Sequence, residues 1–395
     1  MPSSITWLDV SADEQRRMRE LASLFTLRDS RDELGLGLLR DAIADALFPG
    51  TSTLHTRARY LLFVPWCFQH AARANPGQRA RRLDEIERAI ISPLRSSIDS
   101  QGLLGERAGA ALKNLPSSVY WSMLQRYGIL SHPTSRADAL DMSSPTRRVD
   151  DDGNTTIASI WSVPTKPDGF PESIPEGFAL RHDEAAWLRD RILEHANGSL
   201  LAHLTQVAPD PESSAPWTDA AIRTAPARAR GVMEQGEDFS AVMLGAQLLY
   251  NYLLAVDADR LTSREDSRVD HYRDALDGWA ATLAPRARSW ELEELIGTLR
   301  AEGTVPSSIP RATRQFITEW SSIVRESDVA AIADNLDAQT IIRRRERLTK
   351  GAKARLGNAR RLETWGGASG SNRLTFRWST VQGVVRDIHE GLKRA

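Results

Sequence analysis

Residues 116–130, PSSVYWSMLQRYGIL, decide how the chain is read. Pro116 opens a helix comfortably, because the first turn has no use for the amide hydrogen that proline lacks. Val119 to Tyr127 continues it, Gly128 ends it, and Ile129-Leu130 begins an extended segment. Upstream, Leu104 to Leu115 reads as a further helix. Downstream, Asp152-Gly153 is a hairpin turn signal, and Thr155 to Val163 alternates, with Ile157 and Trp161 on one parity and Ala158, Ile160 and Ser162 on the other. Helix, short turn, helix, strand, loop, strand is the order of a winged helix. The alternative is a helical hairpin followed by an unrelated β-ribbon. On the winged-helix reading, Ser117, Ser118, Tyr120, Gln125 and Arg126 face a nucleic-acid groove.

Helical patterns flank this segment on both sides. Ser11 caps a helix through Met18, Leu21 and Leu24, and Asp32 to Phe48 gives a second that stops at Phe48-Pro49-Gly50. Tyr60 to Phe68 (YLLFVPWCF) is apolar throughout, and Pro65 argues for a kinked or broken helix over a central strand. Its Leu62, Phe63 and Trp66, with Trp121 of the next apolar run, are expected in the core. Further helices are expected over Ala80–Ser97, His182–His203, Phe239–Val256, Asp270–Leu283, Ser289–Leu299 and Arg311–Leu362, the last broken near Asp334–Asp337. Leu374 to Trp378 reads as a short strand and Val381 to Leu392 as a final helix. Proline- and glycine-rich linkers fall at Lys166–Phe178, Pro209–Trp217 and Gly303–Pro310. The fold class is therefore mainly α with a small β component, multi-helical. The expected divisions are residues 1–78, 79–165 (the winged-helix candidate), 178–300 and 311–395.

Composition narrows the function. The chain has 395 residues, 41% of them hydrophobic and 26% charged, which describes a core-forming chain and excludes wholesale disorder. A net charge of −1 excludes a globally basic nucleic-acid binder but leaves room for a local basic patch. The single cysteine, Cys67, excludes a disulfide framework and fits a reducing cytoplasm. Met1 to Asp9 has no basic or apolar leader pattern. Ala241 to Val256 is shorter than the roughly 18 apolar residues a membrane span needs, so no membrane association is expected.

Several chemistries lack their residues. There is no Gly-Lys pair for a P-loop, no acidic residue two positions before any lysine for a common nuclease core, and no His-x-Lys. His-Glu-x-x-His, Cys-x-x-Cys, Gly-x-Ser-x-Gly and Gly-x-Gly-x-x-Gly are absent too. His182-Asp183-Glu184, Glu194-His195 with His203, and Asp257, Asp259, Glu265 and Asp266 are acidic or histidine clusters. Carboxylates at helix starts are ordinary dipole partners, so no metal, cofactor or catalytic residue is assigned to them.

Two charged segments stand out. Ile341 to Arg361 carries nine basic residues (Arg343, Arg344, Arg345, Arg347, Lys350, Lys353, Arg355, Arg360 and Arg361) against one acidic residue, Glu346. Such a density of cations attracts phosphate whatever the total charge. Leu348, Ala352, Leu356 and Ala359 leave a face for packing, and Trp365 and Trp378 could stack on bases. The alternatives are a surface helix neutralised within the chain and one that meets an acidic protein. The second segment, Leu34 to Trp66, sets Arg40, Asp41, Asp45, His55, Arg57 and Arg59 in an apolar frame. It reads as a buried ion-pair network, or as a ligand pocket in which Asp45, Arg57 and Arg59 meet an anion.

The phrases RDELGLGLLRDAIADALFPGTSTLHTRARYLLFVPW (31–66), VYWSMLQRYGIL (119–130) and LETWGGASGSNRLTFRWSTVQGVVRDIHEGL (362–392) resemble a bacterial family known as domain of unknown function 6361. The resemblance implies an accessory protein encoded in defence neighbourhoods. It implies no activity and assigns no catalytic residues. The expectation from the residues and the resemblance together is a cytoplasmic nucleic-acid-binding accessory protein. Its partners are DNA and the proteins of a defence complex. An enzyme with its site near the N-terminal Arg/Asp block and a protein-binding scaffold are the alternatives.

Overall fold

The computed structural model describes residues 32–143, 146–149, 155–262 and 266–394. Sixteen α-helices and one two-stranded ribbon are found among them. The helix expected after Ser11, the Asp152-Gly153 turn and Glu265 lie outside the described residues. The chain divides into two compact units, and neither is a continuous stretch. The first takes residues 1–42, 235–301 and 305–374; the second takes 43–234, 302–304 and 375–395. This differs from the four consecutive blocks expected from the linkers.

The second unit is built on α2 (Tyr60–Ala71), whose side chains are buried on every face from Tyr60 to Phe68. The helix runs unbroken through Pro65. A helix surrounded by partners recovers in packing what the missing hydrogen bond loses. Helix α1 (Gly37–Leu47) precedes it, and α3 (Arg79–Ala89), α4 (Ile91–Arg95) and α5 (Pro116–Arg126) follow. Helices α3 and α5 both pack on α2. Trp66 is fully buried beside Phe63 and Phe170, and its Nε1 donates to the Pro164 carbonyl at 2.8 Å. Trp66→Ala is expected to cost about 3–5 kcal/mol, visible as a large drop in Tm; an unchanged Tm would show that this packing contributes nothing. Trp121, expected in the core, is only half-buried.

Helix α6 (Arg136–Met142) separates α5 from the ribbon, in which β1 (Thr146–Val149) runs antiparallel to β2 (Thr155–Ala158), with Thr146 opposite Ala158. A single bridge joins Leu130 to Trp161. The second strand falls within the expected Thr155–Val163 run, but its partner is Thr146–Val149 and not the Ile129-Leu130 segment, which contributes only that bridge. The winged-helix order is interrupted by α6, and Ser117 and Tyr120 of α5 point into the core. The expected helix over Leu104–Leu115 is instead a run of turns with one 3-10 turn, because Gly102, Gly105 and Gly109 all take left-handed backbone. Helices α7 (His182–His195) and α8 (Leu200–Leu204) complete this unit together with the final helix, Trp378–Leu392, which packs against α7. No strand forms at Leu374–Trp378. Phe376 and Arg377 are left-handed, at φ 52° and 67°, and feed directly into the final helix.

Helix α9 (Ala227–Leu261) contributes residues to both units. It is long and apolar enough to cross a membrane by length and composition, but 83% of its most apolar window is buried within the protein, as befits a core helix. In the first unit it is flanked by α10 (Val269–Thr282), α11 (Pro285–Arg288), α12 (Leu292–Ala301), α13 (Arg311–Glu326) and α14 (Leu336–Lys350). Trp279 and Trp320 donate their indole N–H groups to the Ala241 and Val242 carbonyls of α9, at 2.8 and 2.9 Å. Helix α13 is amphipathic, burying Phe316, Ile317, Trp320 and Val324 at three- and four-residue spacing. The short α15 (Ala359–Leu362) and the final helix, α16 (Trp378–Leu392), close the chain.

Candidate nucleic-acid interface

The Arg-rich segment occupies the second half of α14, a 3-10 turn at Gly351–Lys353 and α15. Its nine cations separate into two sets. Arg343 is paired with the buried Asp257 at 2.8 Å, and Lys350 and Arg355 with the buried Glu33 at 3.3 and 2.8 Å. Arg344 is paired with Glu319. Arg345 is buried, and its guanidinium donates to the Leu34 carbonyl at 2.7 Å, the Gly35 carbonyl at 3.2 Å and the Thr313 hydroxyl at 3.0 Å. Burial lowers its pKa, with Asp32 opposing the shift. Gly35 is left-handed, and a Cβ there would collide with this guanidinium, so both the φ and the close approach require glycine.

The other four cations, Arg347, Lys353, Arg360 and Arg361, are exposed and form no ion pair among the described residues. Arg347 lies on α14, Arg360 and Arg361 on α15, and the connection between these helices, which carries Lys353, is fastened by buried carboxylates. Glu346 accepts the Arg355 and Leu356 amides at 2.7 and 3.0 Å and the Tyr250 hydroxyl at 2.8 Å. Asp257 accepts the Gly357 amide at 2.8 Å. Three consecutive backbone N–H groups are thus fixed by two buried carboxylates on different helices. The expected apolar face is incomplete, since Leu348 is 64% exposed. Trp365 and Trp378, nominated for base stacking, are both buried.

The groove-facing set on α5 is also divided. The Ser117 amide and hydroxyl donate to the buried Glu87, at 2.6 and 2.8 Å. The Tyr120 hydroxyl accepts the Thr56 and Arg57 amides and donates to the Arg57 carbonyl. Both side chains are spent inside the protein and do not face a groove. Ser118 and Gln125 are half-buried and Arg126 is exposed.

The three pocket candidates do not converge. Arg57 forms a two-pronged pair with Asp99, at 2.7 and 2.6 Å, and a second pair with the buried Asp387 at 2.9 Å. Burial alone would lower the Arg57 pKa, but the hydrogen bonds and charges of Asp99 and Asp387 outweigh it and hold the guanidinium above its ordinary value. Burial in turn pushes the Asp387 carboxyl up, and Arg57 opposes that shift. Arg59 is fully buried, donating to Glu184 at 3.0 Å and to the Gly177 carbonyl at 2.8 Å. Asp45 pairs with Arg377 at 2.6 Å. Arg57 and Arg59 belong to an ion-pair network in the core. Among the described residues, no group of three or more histidine, cysteine, aspartate or glutamate side chains is placed to hold a metal ion.

His55, another member of this block, is buried between two backbone partners. Its Nδ1 accepts the Ser52 amide at 3.0 Å, so Nε2 carries the hydrogen and donates to the Val119 carbonyl at 3.0 Å. Burial, with a smaller contribution from the Arg377 charge, lowers its pKa from 6.5 to about 4, against the Val119 hydrogen bond. The unfolded chain therefore takes up this proton first. Stability contributed by neutral His55 is complete above pH 6.5 and is lost as pH falls towards 4. The loss amounts to about 3 kcal/mol. Urea titrations across this range should show it, and His55→Gln should remove that part of the slope. An unchanged slope in the variant would place the proton uptake elsewhere.

No curated protein and no solved structure matches the chain. The family of unknown function DUF6361 matches residues 2–390. The first two phrases quoted above fall within those bounds, the third begins within them and runs two residues past, and the match covers nearly the whole chain, which belongs to that family.

Proposed function

We propose that the protein binds the nucleic-acid backbone through Arg347, Lys353, Arg360 and Arg361, without reading sequence. One observation carries this reading: four exposed cations lie within fifteen residues, and no carboxylate pairs with them among the described residues. Like charges so close in the chain repel until an anion is supplied, and phosphate is the dense anion that arginine matches best. The loop is pinned by Glu346 and Asp257, so little ordering entropy is lost on binding. The buried Trp365 and Trp378 offer no stacking platform, which favours contact with phosphate alone. The wider role, as an accessory component of a bacterial defence system, is the reading that the family resemblance supports.

The test is a salt-dependent titration of labelled duplex and single-stranded DNA. Wild-type affinity should fall steeply with salt. The quadruple variant R347A/K353A/R360A/R361A should bind unrelated sequences about equally weakly. Its salt slope should be smaller by about 0.9 for each phosphate of duplex DNA that it no longer neutralises. If the wild type shows no salt-sensitive binding to DNA or RNA, the reading falls. The exposed cations beside Leu348 then favour an acidic protein partner.

A further inference from the structure

A cleft of about 200 Å³ opens in the second unit, away from the Arg-rich segment in sequence. It is formed by Asp45 and Pro49 at the end of α1, Arg126 at the end of α5, the Ala196–Ser199 turn, Arg228 of α9, and Glu302 and Thr304. Drug-sized ligands occupy pockets of roughly 300–1,000 Å³. A cleft below that range accommodates one functional group of a ligand and lets the remainder extend into solvent.

The charges around it leave one cation over. Asp45 is paired with Arg377, and Glu302 with Arg228. The Arg126 guanidinium makes no hydrogen bond or ion pair among the described residues, although it lines the cleft. Its stem is held in place, because Gly50, left-handed at φ 80°, packs at a distance where an added Cβ would stand 3.0 Å from Arg126 Cβ and Cγ. Two neutral donors accompany it. Thr304 Oγ1 is buried without a hydrogen-bond partner, and Asn197 is exposed at the rim. A buried hydroxyl with no partner is uncommon enough in folded proteins to call for a reason.

We propose that this cleft binds a phosphodiester group, with Arg126 supplying the recognising charge. The surplus of one positive charge matches the single negative charge of a diester. A guanidinium, a hydroxyl and an amide N–H are donors suited to its two unesterified oxygens. The cleft is partly open, so that both ester substituents can leave it. The source is either a nucleic-acid strand or a small phosphodiester, and the recognition chemistry is shared.

The probe is dimethyl phosphate, titrated into isotopically labelled protein and followed through the amides of Asn197, Gly198 and Thr304. Saturable shifts are expected in the wild type. Arg126→Gln should weaken binding roughly tenfold or more, and Thr304→Val by less. Arg126 is exposed, so the Tm of Arg126→Gln should be unchanged, which separates impaired binding from impaired folding. The R347A/K353A/R360A/R361A variant should bind the probe like wild type, so this site stands or falls independently of the DNA interface above. Absence of shifts, or equal affinity in Arg126→Gln, overturns the proposal, as does acetate binding as tightly as the diester. If Arg126→Gln also lowers the salt slope for duplex DNA by about 0.9, the diester comes from the strand. If that slope is unchanged while dimethyl phosphate no longer binds, the diester is a small molecule.

Discussion

Arg59→Ala is expected to destabilise the protein by about 3–5 kcal/mol, the range for breaking a buried pair from one side. Arg59 and Glu184 are both fully buried and lie 3.0 Å apart. Removing the guanidinium leaves the Glu184 carboxylate in the core with only the Arg181 amide at 3.0 Å and the Arg181 side chain at 3.3 Å. It also leaves the Gly177 carbonyl without its donor and removes a cation from above the Phe63 ring. Urea unfolding should show a lowered midpoint. The double variant Arg59→Met, Glu184→Leu is expected to recover a substantial part of the loss, since apolar replacement of a whole buried pair is often close to neutral. If Arg59→Ala alone left the midpoint unchanged, the pair would contribute nothing.

This pair also marks the boundary of what the sequence reveals. The apolar frame around Arg57 and Arg59 identified a buried network as one reading, because several charges inside a hydrophobic run must be paired or exposed. The partners were not legible: Asp99, Glu184 and Asp387 lie far along the chain, and a single sequence carries no mark of which distant carboxylate returns to which arginine. The same non-locality divided the Arg-rich segment. Its surplus of positive charge is plain in residues 341–361, yet Glu33 and Asp257 neutralise Arg343, Lys350 and Arg355 from elsewhere in the first unit. One local mark is present in the segment: Glu346, the lone carboxylate among nine cations, is buried and holds the loop.

Helices were legible wherever a long periodic face existed, as in α13 and α9. The reading failed where local backbone demands overrode the pattern. Leu104 to Leu115 has helical apolar spacing, but the left-handed glycines at 102, 105 and 109 stop a helix from forming. Leu374 to Trp378 has the composition of a strand. Burial of Phe376 beside Trp217 and the Arg377 bonds to Asp45 and the Thr51 carbonyl hold two residues in left-handed backbone instead.

Glu346→Ala should be the most damaging single change in the first unit, and its effect should be both thermodynamic and local. The carboxylate accepts three hydrogen bonds, from the Tyr250 hydroxyl and the Arg355 and Leu356 amides. Each donor left unsatisfied in a buried site costs about 1–3 kcal/mol. Loss of the two amide bonds also unfastens the loop, leaving the Gly357 amide on Asp257 and the Arg355 pair with Glu33 to hold it. Removal of the negative charge further leaves the Arg355 and Lys350 cations with one fewer buried counter-charge nearby. A lowered urea midpoint is therefore expected, accompanied by faster tryptic cleavage after Arg355, which is half-buried in the intact protein. Glu346→Gln keeps a carbonyl oxygen for one amide and should fall between the two. The comparison separates pinning from global stability. Arg59→Ala, whose defect lies in the other unit, should lower the midpoint without selectively accelerating that cleavage. If Glu346→Ala and Arg59→Ala gave the same cleavage pattern, the carboxylate would be an ordinary core group and the loop would not depend on it.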